Sequence, residues 1–135
     1  FAISQLMLVL LTRGRENRYA KRNQGASMQA AIAQGHVALA IRHSGYMLAM
    51  AFSFNAASHF IIFDPHAYVA NLIGWLVFSV VMLVTLSLLI TLIKKLVLAK
   101  INLCDEVEKQ HNIGLAFVEM AISVSIAIIL AALMA

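Results

Sequence analysis

The stretch His36-Val37-Ala38-Leu39-Ala40-Ile41-Arg42-His43-Ser44-Gly45 lines up with Asn112-Ile113-Gly114-Leu115-Ala116-Phe117-Val118-Glu119-Met120-Ala121, 76 residues further on. Each copy opens a long apolar run. Arg42-His43 in the first copy stands opposite Glu119 in the second. An ionisable group inside a membrane span is costly, so it raises a functional hypothesis by default.

Composition sets the class. Of 135 residues, 62% are hydrophobic and 12% charged, and the mean hydropathy is +0.88. Soluble domains are nearer half apolar and a quarter charged, so the chain reads as one integral membrane domain over residues 1–135. No cleavable signal peptide is visible. The sequence opens at Phe1 inside an apolar run, which points to residues missing before it. Cys104 is the only cysteine, which excludes an intramolecular disulfide and a cysteine-based metal cluster.

Four apolar segments follow. Phe1–Leu11 is too short to span a bilayer, since a helix needs roughly 20 apolar residues for that; it reads as the end of a truncated span. The others run from about Val37 to Phe63, Val69 to Ile93 and Ile113 to Ala135. The connection Thr12–Gln34 carries Arg13, Arg15, Arg18, Lys21 and Arg22 against Glu16 alone. It is expected as a solvated loop, with a lipid-bound interfacial helix over Arg15–Gln34 as the alternative. Lys94–His111 is the second basic connection. Short basic loops stay cytoplasmic, which puts both connections there and the termini and the 59–68 loop in the periplasm. Trp75 and Tyr68 fit an interfacial aromatic belt.

The alignment extends over Gln34–His59 and Gln110–Ala135, with identities at Gln34/Gln110, Leu39/Leu115, Ala40/Ala116, Ala51/Ala127 and Ala56/Ala132. His36 matches Asn112, and His43 matches Glu119. The fold expected is all-α: a membrane four-helix bundle of two parallel span-loop-span repeats, 1–58 and 69–135, with the first span truncated. Small residues recur every four positions at Gly45, Ala49, Ser53 and Ala57, and again at Ser123, Ala127, Ala131 and Ala135. Such stripes let helices approach closely in lipid. The second and fourth spans are therefore expected as the inner pair, with the third facing lipid.

The polar residues His36, Arg42, His43, Asn112 and Glu119 allow three readings. They form a structural ion pair fixing helix register, they snorkel to nearby head groups, or they build a proton or ion pathway. Arg42 shares a face with Gly45, Ala49 and Ser53, which favours a helix interface. His59, Asp64 and His66 have zinc or copper ligand chemistry, but the loose pattern favours a solvated turn, and no metal or other cofactor is expected. No phosphate loop, nucleophile elbow or zinc-protease motif is present, so the chain is read as a non-enzyme. Topology accounts for its basic residues without nucleic acid.

Residues His36–Gly45 with the helix through Ser58, and more closely His111–Ala135, resemble the YjfL-like family of small bacterial inner-membrane proteins, domain-of-unknown-function family 350. In the first copy His36 replaces the family's usual Asn. The resemblance implies two span-loop-span units and no assigned activity. It further implies an accessory of envelope-stress systems, encoded beside membrane-remodelling proteins and glutathionylspermidine-synthase-like enzymes, that recruits or anchors partners. The reading is a structural or accessory subunit of a homo-oligomeric or larger membrane assembly. Its basic loop would meet anionic head groups or a soluble partner. The alternative is a small ion or proton channel or transporter built on Arg42, His43 and Glu119.

Overall fold

A computed structural model describes residues 1–135. Five α-helices follow one another: α1 (Ala2–Arg22), α2 (Met28–Ala33), α3 (Val37–Ser58), α4 (Tyr68–Val97) and α5 (Ile113–Met134). A single π-helical turn, Asp105–Lys109, precedes α5. There are no strands, so the chain is all-α.

Three helices, α3, α4 and α5, are long and apolar enough to cross a membrane, α4 the most apolar of them. In lipid every backbone polar group must be satisfied within the segment, which overrides the weak helix preference of the many Val and Ile residues in α4. At 30 residues and ~1.5 Å per residue, α4 exceeds the roughly 30 Å apolar layer. It therefore tilts or projects, and its last turn carries Lys94 and Lys95.

The first connection differs from the expected loop. The α1 helix runs unbroken from the apolar Phe1–Leu11 stretch through the basic residues to Arg22. No proline interrupts it, and Arg, Lys and Glu are good helix formers. Its charges deny it a long apolar window, so it does not join the three candidate spans. The chain then turns at Gln24 and Gly25, both at positive φ, into α2. Glu16, the lone acid of the segment, accepts hydrogen bonds from Met28 N–H (2.8 Å) and Gln29 N–H (3.2 Å), anchoring the start of α2 to α1. Tyr19 and Met28 are buried with Leu39 in a small cluster of their own.

The α3 and α5 helices pack most extensively, and α4 lies against both. The helix pair closes on Gly45, where an added Cβ would sit 2.9 Å from Met120 Cα. Ala49, Ala56, Ala57, Ala127 and Ala131 form a core with Met82, Leu86 and Ile90 from α4. The other side of α4 is exposed along Val69, Ile73, Val77, Val84, Leu88 and Leu92, which in a bilayer is a lipid-facing surface.

The two spans that open the matched stretches begin alike. His36 Nδ1 accepts from Leu39 N–H at 3.2 Å, and Asn112 Oδ1 accepts from Leu115 N–H at 3.0 Å. Each side chain thus satisfies one of the orphan donors at a helix N-terminus. Asn112→Ala is expected to cost about 0.5–2 kcal/mol, read by denaturant unfolding in micelles, and Asn112→Ser, a comparable cap without a second carboxylate beside Glu106, to retain most of that stability.

Candidate functional site

The N-terminal ends of α3 and α5 and the C-terminal ends of α1 and α4 meet on one side of the bundle, the basic end. Five charged side chains converge there. Glu119 on α5 is 1% exposed. Lys94 Nζ on α4 donates to its Oε1 at 2.9 Å, and Arg42 Nη2 on α3 donates to the same oxygen at 3.2 Å. Arg42 Nε lies 3.0 Å from Oε2, close enough for charge attraction, but its N–H does not aim at that oxygen, which accepts no hydrogen bond.

Arg42 also reaches the π-helical turn. Its Nη1 donates to Glu108 Oε1 at 3.1 Å. The same oxygen accepts from Arg22 Nη2 at 2.5 Å, while Glu108 Oε2 accepts from Arg22 Nε at 3.2 Å and from Asn23 Nδ2 at 2.9 Å. Arg22 thus grips Glu108 with two donors, the fork geometry that makes arginine–carboxylate pairs strong. The result is an unbroken chain, Lys94–Glu119–Arg42–Glu108–Arg22, that ties together α4, α5, α3, the π-helical turn and α1.

Aromatic and histidine side chains brace it. Lys94 Nζ donates to the Tyr46 hydroxyl at 2.8 Å. The Arg15 guanidinium lies 3.7 Å from the centre of the Tyr46 ring, a cation–π contact. The backbone carbonyl of Glu108 lies 3.0 Å from His36 Nε2. With Nδ1 accepting from Leu39, these two bonds assign the His36 proton to Nε2. The His36 ring stacks on His111 with centroids 3.7 Å apart. A π-helical turn widens the backbone and re-aims side chains, and such turns recur at functional sites; here it carries the buried Val107 and Glu108 inward.

Of the polar residues singled out in the sequence, the fold unites Arg42 with Glu119. His43 stands apart, and its buried Nδ1 has no hydrogen-bond partner. His36 and Asn112 are helix caps at the basic end instead of intramembrane partners of Glu119. Gly45, Ala49, Ser53, Ala57, Ser123, Ala127 and Ala131 are all buried. Among the basic residues of α1, Arg13, Arg18 and Lys21 are exposed, Arg15 is half-buried against Tyr46, and Arg22 is exposed but turns its guanidinium onto Glu108. His59, Asp64 and His66 are exposed and do not converge as a ligand set; Asp64 Oδ1 accepts from His66 N–H at 2.9 Å, shaping the turn.

Sequence reasoning missed Lys94 and Glu108 by assigning both to the second connection. For Lys94 a signal existed: it continues the row Ser79, Met82, Leu86, Ile90 at helical spacing, all buried. For Glu108 there was none, since its acidic neighbours make it look like part of a solvated turn.

Burial alone would push the Glu108 carboxyl up. The hydrogen bonds from Arg22 and Asn23 and the charges of Arg22 and Arg42 outweigh it and hold the carboxyl below the ordinary 4.5. A depressed carboxyl stabilises the fold fully above its ordinary value and loses that contribution as pH falls through its folded value. The thermal midpoint in micelles is thus expected to carry a Glu108-dependent fall below about pH 4.5. Glu108→Gln should lack that component; an identical acid profile in this variant would show that the clasp is not the titrating element.

A family model described as Domain of Unknown Function (DUF350) matches residues 1–134. The chain belongs to the DUF350 family. No curated protein and no solved structure matches it. The DUF350 match spans α1 through α5, so the charge chain lies within the matched region, and every one of its members sits on an element of that single unit.

Proposed function

We propose that this DUF350 protein is a structural or accessory subunit of a membrane assembly, and that its charge chain is the lock that fixes helix register. The observation that carries this reading is the unbroken pairing from Lys94 to Arg22, in which each charge is held by another of the same chain. Buried ionic groups are well attested as devices that specify register. The exposed apolar face of α4 supports a role among other membrane helices, in a homo-oligomer or a larger complex. The two matched halves, with equivalent caps at His36 and Asn112, support a parallel span-loop-span repeat. The basic end is assigned to the cytoplasm and the 59–68 loop to the periplasm, in a bacterial inner membrane. In this reading the protein is not an enzyme, and the association with envelope stress is that of an anchor for partners.

A small ion or proton channel is the second reading. Two unsatisfied buried atoms favour it: Glu119 Oε2 and His43 Nδ1. Reconstitution in proteoliposomes separates the two. The accessory reading expects no proton or cation flux above empty vesicles, and a defined assembly in mild detergent that Arg42→Met and Glu119→Gln disturb. Flux abolished by Glu119→Gln would overturn it, as would assembly unaltered in both variants.

A further inference from the structure

Beside the charge chain lies a cavity of about 310 Å³, within the size range of small-molecule sites (~300–1,000 Å³). It divides into two unlike halves. At the basic end it is lined by Arg15, Arg18, Arg22 and Arg42 against a single carboxylate, Glu108. Arg22 and Arg42 already hold that carboxylate. Arg15 and Arg18 form no ion pair, and the buried Nε of Arg15 has no hydrogen-bond partner. The Tyr46 ring holds the Arg15 guanidinium in place, so this donor is already oriented.

The other half is mainly apolar, with Ser87 and Thr91 of α4 its polar members. Leu83, Leu86 and Ile90 from α4 and Met50 from α3 form its wall, with Leu11 of α1 across from them. The α1 and α4 helices do not pack on each other. The cavity therefore sits where the two helices leave a gap, along a stretch of α4 that is itself apolar enough to span a membrane.

We propose that this cavity binds the phosphodiester head group of an anionic lipid, with an acyl chain along the α1–α4 gap. The inference rests on the membrane-subunit reading and names a ligand for its basic end. Arginine is suited to phosphate by its planar fork and permanent charge, and charge-assisted bonds to phosphate oxygens are the strong kind. A free phosphate would satisfy the arginines but leave the apolar wall uncovered. A zwitterionic lipid would cover the wall and offer a phosphate, but it would set its own ammonium beside the arginines and cancel much of the attraction. The anionic lipid satisfies both.

The test uses the purified full chain in detergent micelles doped, at equal mole fraction, with dioleoyl phosphatidylglycerol or dioleoyl phosphatidylcholine. Separate samples receive inorganic phosphate alone. Phosphatidylglycerol is expected to raise the thermal midpoint in a dose-dependent way, with phosphatidylcholine giving less than half that rise. Arg18→Gln, at an exposed and unpaired position, is expected to cut the rise at least by half. Arg15→Gln with Arg18→Gln should abolish it, and native mass spectrometry should then lose the phosphatidylglycerol adduct. Equal rises with both lipids overturn the proposal, as does a full rise in the double variant. A rise reproduced by inorganic phosphate alone overturns the lipid identity and assigns the site to a free anion. Each of these failures leaves the subunit reading standing, because that reading is decided by the flux and assembly measurements.

Discussion

Glu119→Leu is expected to destabilise the folded protein by about 3–5 kcal/mol, the cost of breaking a buried ion pair from one side. The cause is what the substitution leaves behind. Lys94 and Arg42 both donate to the carboxylate, at 2.9 and 3.2 Å, and its removal sets two cations facing each other with their shared counter-charge gone. Arg42 keeps Glu108, but the buried Lys94 keeps only the Tyr46 hydroxyl. Adding Lys94→Met to Glu119→Leu should therefore recover most of the loss, because replacing a buried pair by apolar groups of similar size is often neutral or stabilising. The measurement is unfolding by a denaturing detergent in mixed micelles, run as a double-mutant cycle. Additive losses in the two single variants would show that the pair is not coupled.

Gly45→Ala is expected to cost about 1–3 kcal/mol through overpacking. The added methyl would stand 2.7 Å from Met120 Cγ, 2.9 Å from its Cα and 3.0 Å from its Cβ. A side-chain clash alone would be relieved by moving Met120. The clash with Cα involves the backbone itself, so α3 and α5 must part along the interface where they pack most closely. Met120→Ala should accordingly fail to restore stability to Gly45→Ala, since it leaves Cα and Cβ in place. Full rescue by Met120→Ala would show that only the thioether chain was in the way. The same unfolding assay reads both variants.

The all-α class and the starts of α3 and α5 were legible in the sequence because burial in lipid makes few demands, and those demands show in composition. A long apolar run has one viable structure there. The α1 helix was harder. Its apolar and basic halves read as two different things, a span end and a loop, yet they share one backbone because no proline lies between Leu11 and Arg22 and the single Gly14 weakens a helix without breaking it. The charge network was legible only in part. Arg42 and Glu119 stand out against apolar neighbours. Glu108 is invisible, because its burial comes from a π-helical turn folded onto α3, a tertiary event with no local pattern. Lys94 was hidden by a boundary: a cation at the end of an apolar run looks like the start of a loop, and only the buried row leading to it marks it as the last inward position of α4.

The order of residues along the charge chain bears on how the protein is made. Arg22, Arg42 and Lys94 all precede Glu108 and Glu119 in the sequence. A nascent chain therefore exposes three cations before either of their acids exists. Until then Arg42 and Lys94, near the ends of their helices, can keep their charges in the head-group layer by extending along it. They can turn inward only when the last quarter of the polypeptide arrives. The final helix is thus the keystone of biogenesis, and chains stalled before Glu119 are expected to be held in an unlocked form.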